Sequence, residues 1–145
     1  MVSAAPLPRP GKGAFRAGWA LSGLAIAFFL TDGAMKIANP PIVGETSAQL
    51  GWPADYNTIL LLAALLLGST LLYAIPRTAM LGAILLTGYL GGAVATHVRV
   101  GSPLFTHVLF GVYLGVIVWG GLWLRDPRLR ALLPLRTDFV EDQAA

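Results

Sequence analysis

No cysteine occurs among the 145 residues of this chain. Disulfides, thiolate nucleophiles, iron–sulfur ligation and CxxC redox exchange are therefore excluded within it. Any electron transfer would need a diffusible carrier or a partner protein. Charge is also scarce: Asp, Glu, Lys and Arg make up 12% of the residues against 56% hydrophobic ones, and mean hydropathy is +0.70. A soluble domain of this length needs a more charged surface, so the solvent this composition suits is lipid. The chain also lacks a Gly-rich phosphate loop, a nucleophile elbow and a paired-His arrangement suited to haem. No nucleotide, haem or iron–sulfur cofactor is signalled. Its two His and Asp32 are metal-ligand types, but no HExxH-like spacing accompanies them and no metal is assigned.

What is present is four long apolar stretches, at about residues 15–38, 56–74, 78–98 and 104–124. Each is long enough to cross ~30 Å of hydrocarbon at ~1.5 Å per residue. The spacing predicts an all-α membrane protein, a four-transmembrane-helix up-down bundle with both termini cytoplasmic. Three spans would leave one apolar stretch half-buried. Residues 1–14, rich in Pro, Gly and small side chains, read as a disordered tail, residues 15–134 as the four-helix domain, and residues 135–145 as a cytoplasmic tail. A cleaved signal peptide fits less well, since cutting after Ala34 or Ala38 would place Asp32 or Lys36 where a small residue belongs.

The basic residues follow the positive-inside pattern and form no stripe suited to nucleic acid, which is not expected as a partner. Eight of the ten Lys and Arg fall on the predicted cytoplasmic side, the exceptions being Lys36 and Arg99. Trp19, Tyr73, Trp119 and Trp123 fall toward the inner boundary, and Trp52 and Tyr56 toward the outer one. The expected location is the cell membrane, as a multi-pass integral protein in contact with the lipid bilayer.

Lipid gives helices no hydrophobic reason to associate, so small residues and hydrogen bonds must hold them. Span 1 carries a stripe of Gly18, Ser22, Ala25, Phe29, Asp32 and Lys36 at alternating four- and three-residue steps, which puts them on one face. Span 3 carries Gly88-x3-Gly92 and Gly91-x3-Ala95, and span 4 carries Gly111-x3-Gly115. These glycines either pack helices or leave room for a ligand. Span 2 is almost purely aliphatic and is expected to face lipid broadly. In residues 39–55, Glu45-Thr46-Ser47 is expected to cap a short helix ending before Gly51. Ile42, Val43, Leu50 and Trp52 would then dip into the membrane interface.

Asp32, Lys36, His97, Arg99 and His107 lie inside or at the mouth of three spans, where a charge costs ~2.5–3.5 kcal/mol by insertion scales. All sit at the outer end of the predicted bundle, with Gln49 and Glu45 of the large loop on the same side. Asp32 and Lys36 are spaced to pair, and His97 and His107 flank the short turn through Gly101-Ser102-Pro103. Deeper, Tyr89 and Tyr113 fall near mid-span, where a phenol needs a partner. Tyr89, Ala93 and Thr96/His97 share one face of span 3, and His107, Gly111 and Leu114 one face of span 4. Proton exchange beside an apolar chamber is the chemistry this allows. The competing reading is a polar network that fixes helix register, with Lys36 and Arg99 snorkelling to headgroups.

The order of these features resembles the DoxX-like family of small four-helix membrane proteins. The resembling residues are Asp32-Gly33-x2-Lys36, Gln49-Leu50-Gly51-Trp52-Pro53, Gly91-Gly92-Ala93-x-Ala95-Thr96-His97-Val98-Arg99 and Pro103-Leu104-x2-His107. The resemblance implies a four-helix bundle more firmly than an activity. It also implies a link, in some members, to quinone- or thiol-linked oxidoreductases or to membrane assembly. A thiol-based version does not suit a chain without cysteine.

Two functions compete at this level. One is binding of a small lipophilic molecule (quinone or isoprenoid-like), in a redox subunit or an acid–base catalyst. Asp32, His97 and His107 would then carry protons, with Lys36, Arg99, Tyr89, Tyr113, Thr96 and Gln49 holding the ligand. The other is a non-catalytic assembly subunit whose glycine faces dock a membrane-protein partner or a second copy. Proton-coupled transport is weaker, because four short spans lack paired broken helices.

Overall fold

The computed structural model describes residues 10–53 and 55–132. The described residues are helical, with no strand among them: α1 (Lys12–Ala38), α2 (Pro41–Gln49), α3 (Tyr56–Ala74), α4 (Ala79–Arg99), a π-helical turn (Leu104–Val108), α5 (Phe110–Arg125) and α6 (Pro127–Leu132). Four segments are long and apolar enough to cross a membrane: α1, α3, α4 and the π-turn continued by α5. The chain is a multi-pass membrane protein. α1 begins at Lys12, three residues before the expected start. The expected tails over residues 1–9 and 135–145 lie outside the described residues.

Local chemistry sets the helix ends. α1 stops at Asn39, whose left-handed φ of 47° lets its N–H reach the Met35 carbonyl at 3.0 Å. Pro40-Pro41 then bars continuation and starts α2, with Pro41 at its first position. Glu45-Thr46-Ser47 is therefore not the cap it was expected to be. It lies within α2, where the Thr46 and Ser47 hydroxyls donate to the Ile42 and Val43 carbonyls. Asp55 caps α3: its carboxylate accepts from the Thr58 hydroxyl at 2.7 Å and the Thr58 N–H at 3.0 Å. The first of these bonds does most to hold the Asp55 carboxyl below the ordinary carboxylate range.

α1 packs on α3 and α5, α3 on α4, and α4 on α5, so the four form a closed ring in chain order. The span 1 stripe faces inward as expected, with Gly18, Ser22, Ala25 and Phe29 all buried. α3 corrects the expectation that it would face lipid broadly. Its aliphatic composition hides a buried row of Ile59, Ala63, Leu66, Thr70 and Tyr73 at three- and four-residue steps.

The closest helix approaches use Gly18, Gly82 and Gly121, none of which belongs to the glycine pairs noted in spans 3 and 4. A Cβ on Gly18 would come within 2.9 Å of the Gly121 carbonyl oxygen, and one on Gly82 would strike the backbone of Tyr73. Gly88, Gly91, Gly92 and Gly115 face open space. Tyr73, placed in an aromatic belt by its sequence position, is instead fully buried. Its hydroxyl lies 2.9 Å from Ser22 Oγ and donates to the Val118 carbonyl at 2.8 Å, joining α3 to α1 and α5.

At this same end Arg125 is 8% exposed, with its guanidinium 4.3 Å from the Trp19 ring centre and 5.1 Å from that of Tyr73. It donates to the Tyr73 carbonyl at 3.2 Å, in the last turn of α3. A helix C-terminus carries partial negative charge, so this end of α3 compensates the buried cation, which pairs with no carboxylate among the described residues.

Candidate functional site

At the α2 end of the bundle a cavity of about 570 Å³ lies between α1, α4 and α5, with Leu62 of α3 contributing and α2 as its roof. That volume falls within the ~300–1,000 Å³ range of small-molecule sites. The residues expected to carry chemistry meet here: Asp32, Lys36, Thr96, His97 and His107 all line it, with Tyr89. Phe28, Phe29, Leu62, Leu90, Phe110 and Leu114 supply apolar walls. The open glycines of span 3 find their use in the same place, since Gly88 and Gly92 line the cavity in place of a helix contact.

Helix geometry aims each polar group. Asp32 and Lys36 stand one turn apart on α1, and the ammonium donates to the carboxylate at 2.5 Å. His97 lies in the last turn of α4 and His107 in the π-turn that opens the fourth span. In that turn the N–H groups of Val108 and Leu109 reach back five residues, to Pro103 at 3.2 Å and Leu104 at 2.8 Å. Such wide turns recur at functional sites because they re-aim side chains without ending the helix.

The two imidazoles meet edge to face, centres 5.6 Å apart and planes at 60°. His97 Nδ1 shares a hydrogen bond with Ser102 Oγ at 3.0 Å, and His107 Nδ1 shares one with Thr106 Oγ1 at 2.8 Å. A hydroxyl at Nδ1 fixes ring orientation and leaves Nε2 for a ligand. The Tyr89 phenol likewise has no hydrogen-bond partner among the described residues. The cavity thus combines a neutralised ion pair, two oriented imidazoles and a phenol above a greasy floor. It is suited to a molecule with an oxygen-bearing head and an apolar body, with groups at hand to give or take a proton.

Three expected site residues are placed elsewhere. Arg99 does not line the cavity; its guanidinium donates to the Leu50 carbonyl at 2.8 Å and lies against Gly51, whose φ of 73° suits glycine. It anchors the end of the roof. Tyr113 is 45% exposed and outside the cavity lining, because it lies one residue before the inward Leu114, about 100° round the helix. Gln49, exposed at the end of α2, is outside the lining as well.

Sequence reasoning missed Thr46, Ser47, Phe28 and Phe110, all of which line the cavity. Ile42, Val43, Leu50 and Trp52 line it too, so the face of α2 expected to dip into the membrane interface forms the cavity roof. A helix opened by Pro40-Pro41, with Val43, Ser47 and Leu50 at four- and three-residue steps, was the available signal.

The model of the DoxX-like family matches residues 20–121, a stretch that holds every polar residue of the cavity. Comparison with curated proteins and with solved structures finds no match.

Proposed function

From the premise that the chain belongs to the DoxX-like family, we propose that its cavity binds a small lipophilic molecule, quinone or isoprenoid-like, and that the chain acts as a membrane subunit of an oxidoreductase or an acid–base catalyst. The observation that carries this reading is convergence: α1, α4 and the π-turn before α5 each send ionisable groups into one chamber whose floor is apolar. Such groups are costly inside a membrane protein unless they do something there. Asp32, His97 and His107 are the proton-handling groups, while Lys36, Tyr89 and Thr96 hold the ligand's oxygen. Electrons, where the reaction needs them, come from a partner, since the chain has no thiol of its own.

Trp52 in the roof supplies the assay, because a quinone bound beneath it quenches indole fluorescence. Titrating the purified full-length protein with a decyl-substituted benzoquinone is expected to give saturable quenching that Trp52→Phe largely removes. His97→Ala combined with His107→Ala is expected to weaken binding at least about tenfold, as loss of two polar contacts to the ligand would. Absence of saturable quenching, or equal affinity in the double variant, would overturn the reading.

The same proposal places the bundle up-down in the cell membrane with both termini cytoplasmic. The lack of cysteine makes this simple to test. An impermeant maleimide added to intact cells should label Ala48→Cys on α2 and spare Lys12→Cys until lysis. Labelling of Lys12→Cys before lysis would reverse the topology.

A further inference from the structure

α1 and α5 touch backbone to backbone at the end away from α2, where Gly18 and Gly121 face each other. Toward α2, α5 leans on α4 instead: a Cβ on Gly111 would lie 3.2 Å from the Leu90 carbonyl oxygen and 2.9 Å from a Val94 methyl. α5 is thus tied to α1 at one end and to α4 at the other. Two aromatic rings bridge α1 and α5 beside the cavity. Phe28 of α1 and Phe110 of α5 pack edge to face with centres 5.5 Å apart. Both line the cavity, yet they remain 39% and 43% exposed. The outer surface beside Phe28 is apolar, with Leu24, one turn away on α1, also exposed. By contrast α2 roofs the aqueous end, and Arg99 ties the end of that roof to α4.

The geometry points to the Phe28–Phe110 seam as a lateral portal that holds the hydrocarbon tail of a lipid whose oxygen-bearing head sits among Asp32, His97 and His107. This rests on the ligand reading above and adds to it the ligand's class and route: a single-chain, isoprenoid-like lipid that arrives from the bilayer. Two rings in contact across a helix seam separate by rotamer changes alone, without moving the glycine-tight crossing below. The tail then lies in the seam, against ring faces, and continues into the acyl chains.

The test uses the full-length protein in nanodiscs and two probes, a benzoquinone bearing a decyl chain and the same quinone without it. Phe28→Ala combined with Phe110→Ala should weaken binding of the decyl quinone about tenfold, as truncation of two contacting rings would. Affinity for the chainless quinone should fall far less, because the two rings are only part of the cavity wall, and its retained binding reports that the variant is folded. Comparing variant with wild type for each probe cancels the tail's own partitioning into the bilayer. Val116→Ala, on the exposed side of α5, should alter neither affinity. Unchanged affinity for both probes, or an equal loss for both, overturns the portal and leaves the cavity reading standing. If neither probe binds wild type, the ligand reading itself fails and the portal with it. As a second measurement, a photoreactive group at the chain's end should label α1 and α5 near the seam. Labels confined to α3 and α4 would overturn the portal.

Discussion

Gly82→Ala is expected to destabilise the bundle by at least about 2 kcal/mol, visible as a large fall in melting temperature in detergent or nanodiscs. An added methyl there would meet the Tyr73 and Leu72 backbone, with the Tyr73 Cα only 2.5 Å away. Backbone cannot swing aside as a side-chain end can, so α3 and α4 would have to part. Parting them pulls on Tyr73, whose hydroxyl ties α3 to Ser22 and Val118. Gly91→Ala on the same helix is the contrast. Nothing lies within 4 Å of its added methyl, and alanine is the better helix former by ~0.5–1 kcal/mol, so that variant should be neutral or slightly stabilising. Equal melting temperatures for the two variants would show that the α3–α4 contact at Gly82 is not as tight as described.

The contrast between Gly82 and Gly91 also marks how far the sequence could be read. Hydropathy made the four spans legible, and helical periodicity made the inward stripe from Gly18 to Lys36 legible. The short Gly101–Pro103 turn was enough to bring His97 and His107 near one another. Glycine spacing was not enough, because Gly88-x3-Gly92 can equally close a helix contact or leave a hollow. Which occurs depends on what the opposite helix presents. Tyr113 was misplaced for a related reason: near mid-span a shift of one residue, about 100° of turn, moves a side chain from inside to outside.

The other misreadings have separate causes. Arg125 looked like one more positive charge at the inner boundary, and only the positions of Trp19, Tyr73 and the end of α3 show why it is buried. Arg99 was weighed as a ligand-holding or snorkelling cation. Its use is fixed by the Leu50 carbonyl beside Gly51, on a separate segment that periodicity cannot connect to α4. Conformation in the roof decides which cation is left in the cavity, and that cation is Lys36.

The pairing of Lys36 with Asp32 makes the two readings of the polar cluster separable by experiment. Asp32→Asn strands the Lys36 ammonium, whose side chain is 19% exposed, beside the apolar walls of the cavity. Removing one partner of a fully buried pair costs ~3–5 kcal/mol, and partial exposure here should bring the loss to about 2 kcal/mol. Lys36→Met should cost less, since the more exposed Asp32 carboxylate can be protonated or hydrated. Combining the two changes removes both charges and should restore most of the lost melting temperature, because an ion pair replaced by apolar groups is often neutral. The register reading and the ligand reading agree to this point and then part. If the pair only fixes register, the double variant regains quinone binding along with its stability. If the pair holds and protonates a ligand oxygen, the stable double variant still binds the quinone at least about tenfold more weakly than wild type. A double variant with both stability and affinity restored would reduce Asp32 and Lys36 to a structural clasp. The proton chemistry would then fall to the two imidazoles alone.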